Sequence, residues 1–431
     1  MLRFAPSPTG DMHIGHLRIA IVNAIAAKQR GERFVVRMED TDAERNVEGK
    51  DREILEILRL FHIEYDDLLY QSHNLTIHQH MAIRLLQERK AFACFCTDGE
   101  LEAEREAAER EKRPCRYSGR CEALSDAEVL SIDRPFTIRL KKPAEPICFE
   151  DPIGGELRFE PDEIDSFVIL RSDKSPTPDF ACAVDDMIQD IGFVIRDREH
   201  LGNTPRQIHV RRMLGYDRPV EYIHLPPIRC VEGADASKAD LPSVRELLLE
   251  GFLPEAIANC LIPSGNGTPA QIATLDQAVG QFEPESLCEA DWVFDRERLR
   301  SLNVEHMKRM DAKELSRAFG FADAAIGELA KRYLGEESTI RQIRPRIEAI
   351  FAPKPFDGPS GDAMRRIRDA VKESPHFEDF DTFVRHLAEK TGLADRELLE
   401  PLRLLLTGTR QGPELSELYP YLKSYLMEIV K

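Results

Sequence analysis

Residues 3–16 read RFAPSPTGDMHIGH, and the neighbouring elements can be predicted outward from them. Residues 3–5 are typical of a short strand, and the proline- and glycine-rich residues 6–11 are typical of a loop. We expect a helix over about 15–29, ended by a glycine, and a second strand over 33–38. This β-α-β start predicts a parallel sheet that binds a nucleotide beside its first loop.

Two histidines flank a glycine where the predicted helix begins. His13 and His16 would stand beside the unpaired N–H groups and the positive dipole end of the helix, which favour phosphates. Gly15 would let a ligand come close to the backbone. Histidine donors here would neutralise charge that develops on an α-phosphate as pyrophosphate leaves. The alternative is an ordinary turn in which the histidines only cap the helix.

The composition bounds the class of protein. The chain has 431 residues, of which 42% are hydrophobic and 32% are charged. This length predicts about two to four domains, and the composition excludes wholesale disorder. No apolar run approaches the roughly 20 residues that span a bilayer, and the first residues lack a secretory pattern. Nine cysteines, an odd number, favour free thiols in a reducing cytoplasm, so we expect a cytoplasmic protein with no membrane partner.

Further motifs follow along the whole chain. Together with residues 3–16 they resemble the glutamyl-tRNA synthetase family of class I aminoacyl-tRNA synthetases. Several motifs in the expected order are far more specific than any one of them. The matching stretches are RMEDTD (37–42), VDD (184–186), VIR (194–196), NTPRQ (203–207), GFLPEA (251–256), PLR (401–403) and LTG (406–408).

The resemblance implies a Rossmann-type α/β catalytic domain with an inserted α+β domain, followed by an all-α anticodon-binding region. We expect the catalytic domain in two halves, 1–84 and 181–240, the second of which carries a lysine loop. Residues 85–180 would form the inserted domain, which binds the acceptor stem. The helical remainder would comprise a stem-contact region, 241–310, and the anticodon-binding domain, 311–431.

The resemblance also implies a glutamate–tRNA ligase, expected as a monomer. It would use ATP with Mg²⁺ to convert glutamate to glutamyl-adenylate, and would transfer the glutamyl group to the 3′ end of tRNA(Glu), tRNA(Gln) or both. Positioning and charge stabilisation would supply the catalysis, and an arginine fork suits the side-chain carboxylate of glutamate. The residues implied to bind glutamate are Arg3, Ser7, Glu39 and Arg196. Those implied to bind ATP are His13, Gly15, His16, Ser237 and Lys238, of which His13, His16 and Lys238 would be catalytic.

The chain departs from the family pattern at the same site. Its lysine loop, residues 233–240, reads GADASKAD; it keeps the serine and the second lysine but has Asp235 where the first lysine is common. A tyrosine of the amino-acid pocket is replaced by Pro178, and a carboxylate near the substrates by Arg198. A second interpretation therefore stays open, a catalytically weakened or inactive tRNA-binding paralogue. The matching helical C-terminal region argues against a short paralogue that glutamylates a modified tRNA base.

Cysteines in the inserted region predict one zinc ion. Thiolates favour zinc, and structural zinc takes four ligands. Several family members carry a zinc knuckle in this region, in which Cys94, Cys96 and Cys121 would be three of the ligands. Tyr117 or Cys115 would be the fourth. The alternative is that Cys94 and Cys96 are small core residues of a strand.

A basic cluster in the C-terminal helical part is the candidate contact with tRNA. The formal net charge of −18 argues against a polyanionic partner for the chain as a whole, but one local basic face is enough to bind nucleic acid. Arg344 and Arg346, with Arg341 nearby, would contact a phosphate backbone or an anticodon base. A solvated helix face is the alternative.

Overall fold

The protein is described from a computed structural model, which covers residues 1–230, 241–262, 274–283 and 291–431. The chain divides into two compact units. The first comprises Met1–Val244 and Leu261–Phe294, and the second comprises Arg245–Cys260 and Asp295–Lys431. Among the described residues, every helix is too short or too polar to span a lipid bilayer.

The strands are β1 (Leu2–Phe4), β2 (Phe34–Met38), β3 (Asp67–Tyr70), β4 (Ala91–Cys94), β5 (Thr137–Leu140), β6 (Ile147–Asp151), β7 (Gly155–Phe159), β8 (Phe167–Leu170), β9 (Phe193–Asp197), β10 (Glu221–Leu225), β11 (Ile228–Cys230) and β12 (Trp292–Phe294). The helices are α1 (Ile14–Arg30), α2 (Lys50–Leu60), α3 (Leu75–Gln87), α4 (Asp98–Arg110), α5 (Asp126–Ser131), α6 (Pro161–Ile164), α7 (Pro178–Ile188), α8 (Thr204–Met213), α9 (Val244–Leu249), α10 (Pro254–Leu261), α11 (Leu275–Val279), α12 (Arg296–Arg309), α13 (Ala312–Ala318), α14 (Ala324–Lys331), α15 (Ile340–Phe351), α16 (Gly361–Lys372), α17 (Phe380–Thr391), α18 (Asp395–Thr407), α19 (Leu415–Leu422) and α20 (Leu426–Ile429).

A parallel sheet forms the centre of the first unit. Strands β1, β2 and β3 pair in parallel, and β9 pairs in parallel with β10. The N–H of Gly192 donates to the carbonyl of Met1 over 3.1 Å, so β9 lies beside β1. The order β3-β2-β1-β9-β10 is that of a Rossmann-type sheet, in which the carboxyl ends of the strands form the ligand edge. The predicted α/β class is confirmed.

Helix α1 packs against this sheet and matches its predicted position closely. Its buried face includes Leu17, Ile21 and Ile25, none more than 2% exposed. The helix ends at Gly31, whose φ of 64° is a left-handed conformation that glycine adopts without strain. The sequence therefore defines both ends of this element correctly.

The segment between β3 and β9 has its own antiparallel strands. Strand β5 pairs with β4 on one side and with β8 on the other, and β6 and β7 form a separate hairpin. Ile138, Leu140 and Ile169 lie in a buried core that also contains residues of α3, α7 and α8. The segment is thus α+β in character and shares a core with the parallel sheet's flanking helices.

The second unit consists of packed helices. Leu315, Leu329, Ile347 and Leu402 are among its fully buried side chains. Helices α13 and α14 approach so closely that a Cβ at Gly327 would lie 1.8 Å from the carbonyl oxygen of Ala312. The close approach is therefore possible only for glycine at that position.

Gly327→Ala should destabilise the second unit, because the added methyl group must push α13 and α14 apart. We expect a loss of about 1–3 kcal/mol in the free energy of unfolding, as for other overpacked sites. Chemical denaturation followed by far-ultraviolet circular dichroism measures it. Gly358→Ala is the control, since a Cβ there meets nothing within 4 Å; an equal loss in both variants would contradict the close approach.

Candidate active site

A cleft of about 370 Å³ lies at the carboxyl ends of β1, β2 and β9. Neighbouring parallel strands end at one edge of a sheet, so residues distant in sequence meet there. Five of the predicted site residues line this cleft, namely Arg3, Ser7, His16, Glu39 and Arg196. A larger cavity of about 590 Å³ lies beside the amino-terminal ends of β9 and β10, and its lining includes none of the predicted site residues that the structure describes.

A buried ion cluster holds one wall of the cleft. The carboxylate of Asp186, on α7, accepts from Arg3 Nε over 3.2 Å and from Arg37 Nη1 over 2.7 Å. All three residues are at most 3% exposed. Burial alone would raise the pKa of Asp186, but the two guanidinium groups hold it well below its usual range. The carboxylate therefore stays charged and fixes Arg3 at the cleft.

Glu39 follows β2 and brings a second carboxylate to the cleft. Its Oε1 accepts from Arg37 Nη2 over 3.1 Å. Burial raises the pKa of Glu39, while Arg37 and Arg3 oppose the shift. A carboxylate in this position suits an ammonium group on a ligand.

Arg196 lies on β9, beside β1, and is only 8% exposed. Its Nη1 donates to Gln207 Oε1 over 2.9 Å, and its Nη2 donates to Thr204 Oγ1 over 2.5 Å. Burial lowers the pKa of this guanidinium, yet arginine remains charged at neutral pH. Both partners belong to α8, so this helix orients the side chain.

His13 caps helix α1 with its side chain. The Nδ1 atom accepts from the backbone N–H of Gly15 over 3.1 Å and from that of His16 over 3.4 Å. In a neutral ring the proton therefore lies on Nε2. The rings of His13 and His16 stack with centroids 3.7 Å apart. A Cβ at Gly15 would lie 2.8 Å from His13 Cε1, so glycine is needed for the cap itself.

The cleft also contains residues to which sequence analysis gave no role. Cys182 and Asp179 on α7 and Gln207 on α8 line it. Cys182 Sγ accepts from Arg37 Nη2 over 3.3 Å, and Gln207 orients Arg196. Asp186 and Gln207 both lie in the quoted motifs, which were therefore a signal for these positions. Cys182, one helical turn before Asp186, gave no such signal.

The chain is similar to known proteins over its whole length. A family model described as "tRNA synthetases class I (E and Q), catalytic domain", for glutamate and glutamine, matches residues 1–301. The chain belongs to this family.

Relatives cover the full length. "Glutamate--tRNA ligase 1" of Nitratiruptor sp. is 52% identical, and "Glutamate--tRNA ligase 2" of Sulfurimonas denitrificans is 49% identical, each over 100% of both chains. A crystal structure of glutamyl-tRNA synthetase from Elizabethkingia anophelis, 25% identical, has a TM-score of 0.80 and covers 100% of this chain and 98% of that one. These matches confirm the family resemblance and the class I fold.

Two predicted ATP-binding residues, Ser237 and Lys238, lie outside the described residues, as do Asp235 and the rest of loop 233–240. The chain is described again from Leu241, beside the start of α1. There the N–H of Ile14 donates to Pro242 O over 3.2 Å, and the N–H of Val244 donates to Met12 O over 2.9 Å.

Three of the predicted zinc ligands form a cluster. The sulfur atoms of Cys94, Cys96 and Cys121 lie within 4.8 Å of one another. The hydroxyl of Tyr117 is 3.5 Å from Cys94 Sγ and 3.6 Å from Cys96 Sγ. Cys115, the other candidate for the fourth ligand, is exposed. The cluster therefore favours Tyr117 over Cys115.

Cationic side chains surround the cysteine cluster. Arg139 Nε donates to Cys94 Sγ over 3.3 Å, and Arg120 Nη2 donates to Cys96 Sγ over 3.4 Å. Burial opposes ionisation of Cys94, but hydrogen bonds from Tyr117 and Arg139 lower its pKa to about 7. Burial and the neighbouring thiols instead raise the pKa of Cys96 to about 11, so the cluster shares its negative charge unequally. The donors at Cys94 stabilise the thiolate form that a metal requires.

The two arginines predicted to contact tRNA have internal partners in the second unit. Arg344 donates to the carbonyls of Ala318 and Phe319, over 2.7 and 3.2 Å, at the end of α13. Arg346 pairs with Glu337 over 3.0 Å. Arg344 therefore links α15 to the end of α13, and Arg346 links α15 to the turn that precedes it; binding of both to tRNA stays a prediction. Arg341 is exposed.

Asp186→Asn should destabilise the first unit strongly, because two buried guanidinium groups would lose their counter-charge. We expect the free energy of unfolding to fall by about 3–5 kcal/mol, measured by chemical denaturation at neutral pH. The matched control is Asp190→Asn, which removes an exposed pair with Arg218 and should cost far less.

The pH dependence of the free energy of unfolding distinguishes the contribution of this ion cluster from that of general packing. The stabilisation by Asp186 is complete above the ordinary pKa of an unfolded aspartate, about 3.9, and is lost as the pH falls through the lowered folded pKa. The difference between parent and variant should therefore stay constant from neutral pH down to about pH 5. A difference that shrinks over this interval would refute the assignment.

Proposed function

We propose that this chain is a glutamate–tRNA ligase, which activates glutamate with ATP and transfers it to tRNA(Glu), tRNA(Gln) or both. One observation carries the proposal: two buried guanidinium groups, Arg3 and Arg196, border the same cleft as the carboxylate of Glu39. Glutamate offers two carboxylates and one ammonium group. Arginines would hold its side-chain carboxylate, Glu39 would accept its ammonium group, and Ser7 would add a hydroxyl.

ATP would bind at the start of α1. The N–H at His13 Nε2 would donate a hydrogen bond to a phosphate oxygen. The neighbouring ring of His16 borders the cleft. Both histidines would thus stabilise the charge that develops as the glutamate carboxylate attacks the α-phosphate and pyrophosphate leaves. Gly15 would let the ligand come close to the backbone of this turn.

Ser237 and Lys238 complete the proposed ATP site. Lys238 lies four residues before Pro242, whose carbonyl accepts from the first turn of α1. A lysine there would act as a point charge on the β- and γ-phosphates. Asp42 and Glu199 line the cleft and would offer the oxygen ligands that Mg²⁺ prefers, and the ion would neutralise charge on the phosphates.

The relatives favour a ligase over a non-catalytic tRNA-binding paralogue. Proteins that match this chain over their full length are named glutamate–tRNA ligases. We propose that residues 85–180 contact the acceptor stem, 241–310 the tRNA stem and 311–431 the anticodon, with Arg344 and Arg346 near the tRNA.

All eight cysteines that the structure describes are free thiols, which supports a cytoplasmic enzyme. We propose that the enzyme acts as a monomer.

Aminoacylation assays with Arg196→Lys test the glutamate site. Lysine keeps the charge but loses the planar fork, so the KM for glutamate should rise about 10- to 100-fold while the KM for ATP changes little. Arg212→Lys, an exposed position on α8, is the matched control. An unchanged KM for glutamate in Arg196→Lys would remove the assignment. A parent that binds tRNA without charging it with glutamate would instead support the paralogue.

The cysteine cluster would hold one structural zinc ion. Three thiols and a phenol at mutual contact distance fit a tetrahedral ligand set, and the arginine donors around them favour thiolates. Zinc supplies folding energy at such sites rather than chemistry.

Elemental analysis of the purified chain should find one zinc ion per molecule, and Cys121→Ser should lose it. Thermal denaturation of that variant should begin at a lower temperature, because metal binding contributes to folding. Cys148→Ser, which changes an exposed thiol outside the cluster, should keep the full metal content. A parent without zinc that folds normally in chelator would exclude the site.

A further inference from the structure

A buried chain of side chains lies behind Arg196. His224, on β10, places Nε2 3.3 Å from Arg196 Nε and 2.8 Å from Thr204 Oγ1. On the other side of the ring, Nδ1 lies 2.7 Å from Asp151 Oδ2. Asp151 and His224 are each 2% exposed. Neither residue lines the cleft, so they act on a ligand only through Arg196.

The hydrogen bonds define the protonation of this chain. Asp151 also accepts from the backbone N–H groups of His224, Ile153 and Gly154, over 2.9, 2.8 and 3.3 Å. It is therefore an acceptor throughout, and the proton of the imidazole lies on Nδ1. The lone pair on Nε2 then accepts from the Thr204 hydroxyl, 2.8 Å away, and also faces the N–H of Arg196 Nε, 3.3 Å away. The same hydroxyl accepts from Arg196 Nη2, so both contacts link the imidazole to the guanidinium.

The electrostatics agree with this assignment. Burial lowers the pKa of His224, and the nearby Arg196 adds to the effect against the pull of Asp151. Burial would raise the pKa of Asp151, but its hydrogen bonds with His224 and Ile153 lower it. The imidazole is therefore neutral and the carboxylate charged at neutral pH.

Asp151 comes from the β6–β7 hairpin, which belongs to the predicted inserted region. It is the last residue of β6, and it pairs across the hairpin with Gly155. Phe149, also on β6, packs against Tyr222 and His224 with ring centroids 5.4 and 6.2 Å apart. The hairpin therefore packs against β10 next to His224, which is the residue paired with Arg196 across the sheet.

We propose that Asp151 and His224 are positioning residues, through which the β6–β7 hairpin fixes the guanidinium of Arg196 toward the amino-acid substrate. The proposal rests on the proposed function of Arg196 in binding a glutamate carboxylate. Of the five N–H groups of arginine, the described partners His224, Gln207 and Thr204 take one each. The remaining two donors would then be held in a fixed plane for a ligand in the cleft that Arg196 lines.

Each variant removes a different link. Asp151→Asn offers an NH₂ group in place of an oxygen, which favours the wrong tautomer of His224 and turns an N–H toward Arg196. His224→Phe removes the acceptor. His224→Gln keeps a side-chain oxygen that can accept from Arg196. The matched control is His209→Phe, because His209 is also 2% exposed and also bonds to the inserted region, but through the carbonyl of Lys141.

The assay is aminoacylation of unfractionated bacterial tRNA, with separate titrations of glutamate and ATP, alongside thermal denaturation of each variant. Asp151→Asn and His224→Phe should raise the KM for glutamate about tenfold or more, as misplaced binding groups do, with little change in the KM for ATP. His224→Gln should recover part of the loss. His209→Phe should lower thermal stability without raising the KM for glutamate.

Other outcomes have distinct meanings. If Arg196→Lys raises the KM for glutamate while Asp151→Asn and His224→Phe do not, the positioning proposal is wrong and the proposed function stands. If none of the three raises it, the role of Arg196 itself is wrong. If the variants shift both KM values together, as a general loss of structure would, the positioning role is also refuted. Should His224→Phe fail to fold, Asp151→Asn and His224→Gln decide the question.

Discussion

The ion cluster around Asp186 is the constraint on which the cleft depends. Arg3, Arg37 and Arg196 bring three guanidinium groups to it, and Asp186, Glu39 and Asp151 bring three carboxylates. The charges are therefore matched within the fold, and what the cleft offers a ligand is the fixed orientation of its donors and acceptors. Arginine donors held in a plane suit a carboxylate, and a fixed carboxylate suits an ammonium group.

Sequence analysis predicted much of this arrangement because parallel strands impose it. Arg3 and Arg196 lie on strands, and Glu39 directly follows another, and the carboxyl ends of neighbouring strands share one edge. Their meeting could therefore be expected without coordinates. The pairing of Arg3 with Asp186 could not be expected, because 183 residues separate them and the position of α7 against the sheet is not evident from sequence. Long-range ion pairs leave no local periodicity for a sequence argument to use.

The inserted region shows a sharper limit. Its cysteines were recognisable as a set, because cysteine spacing carries chemical information even without a fold. Arg139 and Asp151 were not recognisable, since single charged residues are most often solvated. Only the antiparallel packing of β4, β5 and β8, and the hairpin beside them, turns these two residues toward sulfur and imidazole. Their chemistry comes from tertiary contacts, which composition and motifs do not encode.

Helix α1 is capped by a histidine, His13, rather than by a more usual capping residue, and the proposed ATP site gives a reason for it. Asp or Ser at the N-cap would satisfy the same backbone N–H groups. Aspartate, however, would place a negative charge where the proposed ATP phosphates would approach, and serine is too short to extend a donor beyond the helix end. Histidine accepts the N–H of Gly15 with one nitrogen and carries a proton on the other. From the sequence, a helix cap and a phosphate ligand are alternative roles for this histidine. In the structure the two roles are compatible in one side chain. The cap fixes the tautomer, and the tautomer provides the donor.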